Sequence, residues 1–424
     1  MPPVSYASAE KYILSREFFG MKLGLENIRT FLEIIGNPQN SFPAIHISGT
    51  NGKGSTANML AKILECQGYK VGLFTSPHLV SFRERVKVNG QLIPKQSVAG
   101  FIGRNKKLLS KMKLSFFELT TALALDHFHR QKVDIAVIET GLGGRLDATN
   151  VLKPILTITT DISKDHMEIL GNSLSKIAYE KAGIIKTGTP HLIGLMPAAA
   201  VNVFKRRAQA KKTKLVTLNQ KEFKHYPDRL SLDFKDKNLT IKNLRPALIG
   251  THQLKNATLV IKAISILKEN GLKISQKAVV DGIKKTKWAG RFQIELYKNK
   301  PLHILDVTHN AAGMVAFVDS YKKKFKDKKA RVLTGFVKRK EHQKLFDSLS
   351  EIALDYSMVP LSTKRSTDLN ELISQINFRG IPYKKYGSLR TAYTKLLKTT
   401  SGDDIIVIIG SHYLVGEFLS KYGR

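Results

Sequence analysis

The chain is organised around Ile45-His46-Ile47-Ser48-Gly49-Thr50-Asn51-Gly52-Lys53-Gly54-Ser55-Thr56. A short apolar strand runs into three glycines, one lysine and hydroxyl residues, and Met59, Leu60, Ile63 and Leu64 then recur at helix spacing. Strand, glycine loop and helix together make a phosphate cradle. The glycines let backbone N–H groups turn inward, and the helix N-terminus adds partial positive charge. Lys53 can reach outer phosphates, and Ser55 or Thr56 can ligate Mg2+. The spacing departs from the common G-x-x-x-x-G-K-[ST], because position 47 is Ile and Gly54 separates Lys53 from Ser55. An ordinary glycine-rich turn is the plain alternative. Lysine, hydroxyls and flanking elements all fall where a phosphate needs them, so phosphate binding is the better reading.

Outward from this loop the pattern is that of a parallel sheet. Residues 134–139 form a buried-type strand that ends in Glu139, with a glycine-rich loop at 141–147 behind it. Ligands of open parallel sheets sit beyond the carboxyl ends of the strands, which makes Glu139 a candidate metal ligand opposite the glycine loop. A further strand at 154–160 leads into Asp161, Asp165 and His166 at the same rim. Glu180 and Lys181, on a helix at 173–182, read by composition as a solvated face. Before the loop, residues 1–43 are a helical lead-in stopped by Gly36-Asn37-Pro38. After it come a strand at 70–75, a hairpin at 86–93 with Asn89-Gly90 as its turn, and helices at about 95–112 and 116–131. Residues 191–245 read as a helix followed by short lysine-rich strands, with a hairpin at 229–244. A long helix runs from about 251 to 269, and a junction falls at Ala289-Gly290-Arg291-Phe292. Strands at 303–307, 331–336, 356–361 and 405–409 then alternate with helices, and two of them end in Asp306–His309–Asn310 and Ser411-His412 polar groups. The expected fold class is α/β: a P-loop-type parallel-sheet ATPase domain over 1–288, then a smaller Rossmann-like α/β domain over 289–424.

Composition narrows the setting. The chain has 424 residues, of which 42% are hydrophobic, and no apolar run reaches membrane-spanning length. Residues 1–15 lack a basic region followed by an apolar core, so no signal peptide is expected. The single Cys66 excludes an intramolecular disulfide framework and a cysteine zinc cluster, and a reducing cytoplasm is the simplest location. Lys and Arg number 69 against 34 Asp and Glu, a formal charge of +35. Such a field attracts polyanions, nucleic acid first among them. The lysines are dispersed, however, and no aromatic-interleaved basic motif accompanies the runs at 205–207, 211–214 and 322–329. A solvated basic surface that also favours anionic small substrates is the preferred reading.

Taken together, residues 49–55, 75–79, 82–85, 139–150, 165–171, 180–184, 252–257, 290–293 and 306–310 resemble, in order, the signatures of the folylpolyglutamate synthase and dihydrofolate synthase family of Mur-type ATP-dependent ligases. The resemblance implies an ATP-binding central domain and a C-terminal glutamate-ligase domain. It makes Gly49, Thr50, Asn51, Gly52, Lys53, Gly54, Ser55 and Thr56 the ATP loop, with Asn256 at adenine, Asp306 at ribose and Arg291 at phosphates. It makes Ser55, Glu139 and His166 ligands of Mg2+, and Lys181 a lysine carbamylated by CO2 to hold a second ion, which reverses the bland reading of that residue. His309 and Ser411 would line the glutamate pocket; Thr75, Ser76, Pro77, His78, Arg83, Phe116 and Phe117 the folate pocket. Lys53, Lys181, His166 and His309 are the implied catalytic set. Two positions depart from the family: Asp306-Val307-Thr308-His309-Asn310-Ala311 replaces Asp-Gly-Ala-His-Asn-Pro, and Arg339-Lys340-Glu341 stands where an acidic cluster is usual.

The implied activity is addition of L-glutamate to dihydropteroate and to tetrahydrofolates through an acyl phosphate, using ATP and Mg2+. A single-activity folylpolyglutamate synthase, a basic nucleic-acid-stimulated P-loop NTPase and a catalytically silent binding module are the alternatives. The expected partners are small molecules only, without nucleic acid or membrane, and the expected state is a monomer.

Overall fold

Strand Ala44–Ser48 is buried at every position, as a strand covered on both faces must be. In the computed structural model, which describes residues 4–19, 24–297, 300–338 and 342–423, this strand lies inside an eight-stranded sheet. The strand order is Gln91–Leu92, Val86–Val88, Val71–Phe74, Ile135–Glu139, Ala44–Ser48, Leu156–Thr159, His191–Ile193, Leu215–Thr217. Pairing is parallel from Val71–Phe74 onward, and the hairpin closes one edge antiparallel. Asn89 and Gly90 sit at φ 48° and 75°, the left-handed pair that a tight hairpin turn requires.

Helix Lys53–Gln67 covers one face of this sheet with Thr251–Glu269 and Gln276–Lys285, where Ile45, Ile47, Leu60, Ile63, Leu64 and Ile261 share a core. On the other face Phe31, Phe74, Phe101, Leu123, Phe128 and Ile138 form a second core beneath helix Phe116–Arg130. A small antiparallel sheet of Phe223–Tyr226, Ser231–Lys235 and Thr240–Leu244 contains the hairpin expected at 229–244.

A second sheet orders Gln293–Leu296, Leu302–Asp306, Ile405–Ile409, Ala330–Thr334, Ala353–Met358 and Tyr383–Lys385. It is parallel except for the first pair. The α/β architecture with a second, smaller unit is the one the strand–helix alternation implies; four of the six strands of that unit correspond to those expected. The units interlock. Thr251 Oγ1 of the first unit donates to Asp319 Oδ2 of the second at 2.7 Å. Leu79 packs against the second unit's cluster containing Leu305, Val307 and Val415, and Ile249 packs against the cluster on its other face.

Three local expectations change. The helix expected over 95–112 is broken into Lys95–Arg104 and Lys106–Lys111. Asn105 Nδ2 donates to Phe101 O at 2.9 Å, the side-chain competition for backbone that makes Asn a helix interrupter. The stretch from 191 opens with strand His191–Ile193, and its helix, Ala198–Ala210, follows. Edge strands Gln293–Leu296 and Tyr383–Lys385 were not anticipated; neither carries a buried apolar run. No helix among the described residues is long and apolar enough to cross a membrane. The departure at Arg339-Lys340-Glu341 lies outside the described residues.

Candidate active site

Strand register brings the polar groups together. Ile47 pairs with Glu139 and Ser48 with Thr159, so the glycine loop, the carboxylate and the 160–166 turn leave the sheet at one level. They line a cleft of about 1040 Å³, whose opposite wall carries Arg291, Asp306, His309 and Asn310 from the second unit.

The loop conformation explains its glycines. Gly52 sits at φ 82°, and a Cβ there would lie 2.5 Å from Asn256 Oδ1. A Cβ on Gly54 would press on the Trp288 indole at 3.0 Å. Lys53 Nζ donates to Gly49 O at 3.0 Å and to Thr50 O at 3.1 Å. Lys181 Nζ donates to the same Gly49 O at 2.6 Å. Lys181 is only 4% exposed; burial, and then the nearby Lys53 charge, lower its pKa to about 7. An amine that is half neutral near pH 7 is nucleophilic there. Glu180, beside it in sequence, turns outward to pair with Arg145 at 2.9 Å.

Glu139 is buried, and burial raises its pKa against the opposing pull of Lys53. Its Oε2 accepts Ser76 N–H at 3.1 Å. Ser55 Oγ accepts Gln253 Nε2–H at 3.3 Å, and Gln253 Oε1 accepts Asn256 Nδ2–H at 3.0 Å. His166 holds a left-handed backbone at φ 48° on the rim, with its N–H donating to Asp165 Oδ1 at 3.0 Å. Among the described residues no three His, Cys, Asp or Glu side chains gather closely enough to hold an ion by themselves. That is compatible with Mg2+, which binds through one or two carboxylates, keeps several waters and takes the rest from substrate phosphates. The hard-oxygen donors Ser55 and Glu139 fit it.

From the second unit, Asp306 accepts Thr308 N–H through Oδ1 at 2.8 Å and Phe292 N–H through Oδ2 at 2.7 Å. His309 Nδ1 lies 2.9 Å from Val307 O. Asn310 Nδ2 donates across the cleft to Asn51 Oδ1 at 3.1 Å. Ser411 is buried as the N-cap of helix His412–Tyr422, accepting Tyr413 N–H at 3.1 Å.

Of the expected folate residues, Ser76, Pro77, Phe116 and Phe117 line the cleft. Thr75 is buried. His78 sits behind Arg85, whose Nε donates to His78 Nδ1 at 2.9 Å; burial and Arg85 push that imidazole down to about 4. Arg83 Nε donates to Ile93 O at 2.7 Å, and Arg85 takes the cleft position instead, its guanidinium 5.0 Å over the Phe116 ring. Gly49, Thr56, Lys181 and Ser411 stand behind the lining; the remaining expected residues of the ATP loop, with Asn256, Glu139 and His166, are on it. Arg85, Asp161, Gln253 and His412, which lie in the quoted motifs and strand-end clusters but carry no individual role in the sequence reading, also line the cleft.

The chain matches the Mur ligase middle domain over residues 47–264 and the Mur ligase glutamate ligase domain over residues 290–412. It is 33% identical, over 430 aligned positions, to a dihydrofolate synthase/folylpolyglutamate synthase of Bacillus subtilis strain 168, with 98% of this chain and 99% of that protein covered. Folylpolyglutamate synthase of Thermotoga maritima superposes with a TM-score of 0.85 at 32% identity, covering 99% and 97% of the two chains. Escherichia coli FolC in complex with DHPP and ADP superposes with a TM-score of 0.86 at 28% identity, covering 98% and 97%.

Proposed function

The chain belongs to the Mur ligase family, on its dihydrofolate synthase/folylpolyglutamate synthase branch, and on that premise we propose that it joins L-glutamate to dihydropteroate and to tetrahydrofolates at the expense of ATP. The observation that carries this reading is the shared cleft. A phosphate loop from one unit faces Arg291, Asp306 and His309 from the other, and Asn310 touches Asn51 across the gap. Such a site can hold a nucleotide, an acid and an amine at once.

A carboxylate is a poor acylating group because oxide is its leaving group. Phosphoryl transfer from ATP converts it to an acyl phosphate. The glutamate amine then attacks the acyl carbon: a C–N bond forms, the C–O bond to phosphate breaks, and the amine gives up a proton. Positioning and charge stabilisation supply the catalysis. Lys53, already held at the loop by Gly49 O and Thr50 O, neutralises the transferring phosphoryl oxygens. Arg291 and His309 do so from the facing wall. Asn256 takes the adenine side and Asp306 the ribose. Phe116, Phe117, Ser76 and Pro77 line an aromatic pocket for a flat ring system. His309, with Ser411 behind it, receives glutamate. Ser55, Glu139 and His166 would hold Mg2+, with carbamylated Lys181 for a second ion; bound there, the metal spreads the charge of the phosphoryl group. The burial and lowered pKa of Lys181 support the carbamate. The same reading makes the protein a cytoplasmic monomer without nucleic-acid partners, divided at 288/289.

The test is phosphate release with ATP, Mg2+ and glutamate, with dihydropteroate and tetrahydrofolate in separate reactions. Release with both establishes the two ligations. Release with tetrahydrofolate alone leaves folylpolyglutamate synthesis. Release with neither, in folded protein that binds ATP, overturns the reading.

A further inference from the structure

The first arm of the phosphate loop is held by a carboxyl group that the chain itself supplies; burial raises the pKa of that group, and the Asn51 N–H with the nearby Lys53 and Lys181 charges pulls the other way. Asp161 Oδ1 accepts Asn51 N–H at 2.6 Å and shares Thr50 N–H, at 3.1 Å, with the main-chain carbonyl of Asp161, also at 3.1 Å. Its Oδ2 lies 3.5 Å from Asn51 Nδ2. Around it Thr160 Oγ1 donates to Asn51 O at 2.6 Å, Asn51 Nδ2 to Ser163 Oγ at 3.1 Å, and Ser163 N–H to Thr50 Oγ1 at 3.1 Å. On the other edge of the same peptides, Lys53 and Lys181 hold the carbonyls of Gly49 and Thr50. The loop therefore presents donors to a carboxylate and acceptors to two lysines, with these groups paired within the chain. Converging loop N–H groups are what a phosphate oxygen takes. A carboxylate oxygen offers the same charge and acceptor geometry.

We propose that Asp161 is a built-in counter-anion of the phosphate loop, which keeps the Asn51 N–H aligned and yields it to a nucleotide phosphate. It is a positioning residue that sets nucleotide affinity by competition. The inference rests on the ATP-binding part of the reading above. A plain structural strut would have the opposite signature, because removing a strut loosens the loop and weakens binding.

Asp161→Asn separates charge from shape, since the amide oxygen still accepts an N–H. Nucleotide affinity is read by calorimetric titration of the full chain with ATP, ADP and adenosine, without folate or glutamate. The expected result is ATP and ADP binding about tenfold tighter than wild type, about 1.4 kcal/mol, with adenosine unchanged. Asp161→Ala, which loses shape as well, gains less and has a lower Tm. The gain persists at about 1 M salt, where the screening length of ~3 Å removes a through-space effect. In turnover, Asp161→Asn lowers KM for ATP without raising kcat. Unchanged or weaker ATP binding by Asp161→Asn, or an equal gain for adenosine, overturns the inference while leaving ATP binding by the wild type intact. Absence of ATP binding by the folded wild type overturns both.

Discussion

Replacing Gly52 by alanine probes the loop at its tightest point. The left-handed backbone at φ 82° costs an L-residue about 1–2 kcal/mol. The new Cβ would lie 2.5 Å from Asn256 Oδ1 and 3.2 Å from Nδ2, so the amide must swing away. It then gives up its 3.0 Å bond to Gln253 Oε1, worth ~1 kcal/mol net. Alanine also restricts the unfolded chain, which returns about 0.4–1 kcal/mol. The net expectation is a loss of about 2 kcal/mol in urea unfolding. Because Asn256 is the residue assigned to adenine, KM for ATP should rise about tenfold or more, the equivalent of at least ~1.4 kcal/mol. A double-mutant cycle with Asn256→Ala isolates the clash. Without the amide, Gly52→Ala should cost only the backbone component, leaving a coupling of about 1 kcal/mol. Strict additivity would refute the reasoning, as would a Gly52→Ala protein with wild-type stability and wild-type KM for ATP.

Lys53→Met removes a cation from the phosphoryl oxygens and should lower kcat about 100–1,000-fold with the fold intact; single-turnover phosphate release checks this, and a loss confined to KM would move Lys53 out of the chemical step. Asp306→Ala leaves Phe292 N–H and Thr308 N–H without their acceptor, a penalty of about 1–3 kcal/mol for each group kept from water. Urea unfolding reads it, and a stability equal to wild type would show that water replaces the carboxylate. Burial holds His46 and His191 neutral, with pKa values pushed down to about 3. The unfolded chain binds protons at these positions first, near pH 6.5, so their stabilising contribution is complete above that value and is lost as pH falls toward 3. Each group lowers unfolding free energy by about 1.4 kcal/mol per pH unit in that window. Urea midpoints at pH 7.5 and pH 5 test it, and His191→Gln should flatten the slope; a flat wild-type profile contradicts the assignment.

The phosphate loop was legible because strand, glycines, lysine and hydroxyls are contiguous, so local sequence carries the whole geometry. Glu139 and His166 were legible through a topological rule about strand ends. Lys181 was not, by composition. Helix Leu174–Lys181 carries Glu180 and Lys181 side by side, and only the packing of the 141–147 loop decides that Glu180 meets Arg145 while Lys181 is buried at Gly49. The role proposed for it rests on family resemblance and on that burial. The motif at 82–85 offered Arg83 and Arg85 alike, but the hairpin behind it takes Arg83 to Ile93 O and leaves Arg85 for the cleft. His412 follows the same logic: its ring stands 5.4 Å from His309, a neighbour more than a hundred positions away in sequence.

Leu79 and Ile249 complete apolar clusters that otherwise consist of residues beyond position 291. A fragment beginning at the junction would therefore carry two open sockets, and the preceding fragment two stranded hydrophobes. Each piece would be sticky in isolation, a liability for expression as separate polypeptides. Intact, the chain should melt in one calorimetric step, and a protease that nicks near 289 should release no free-standing halves until the whole molecule has opened.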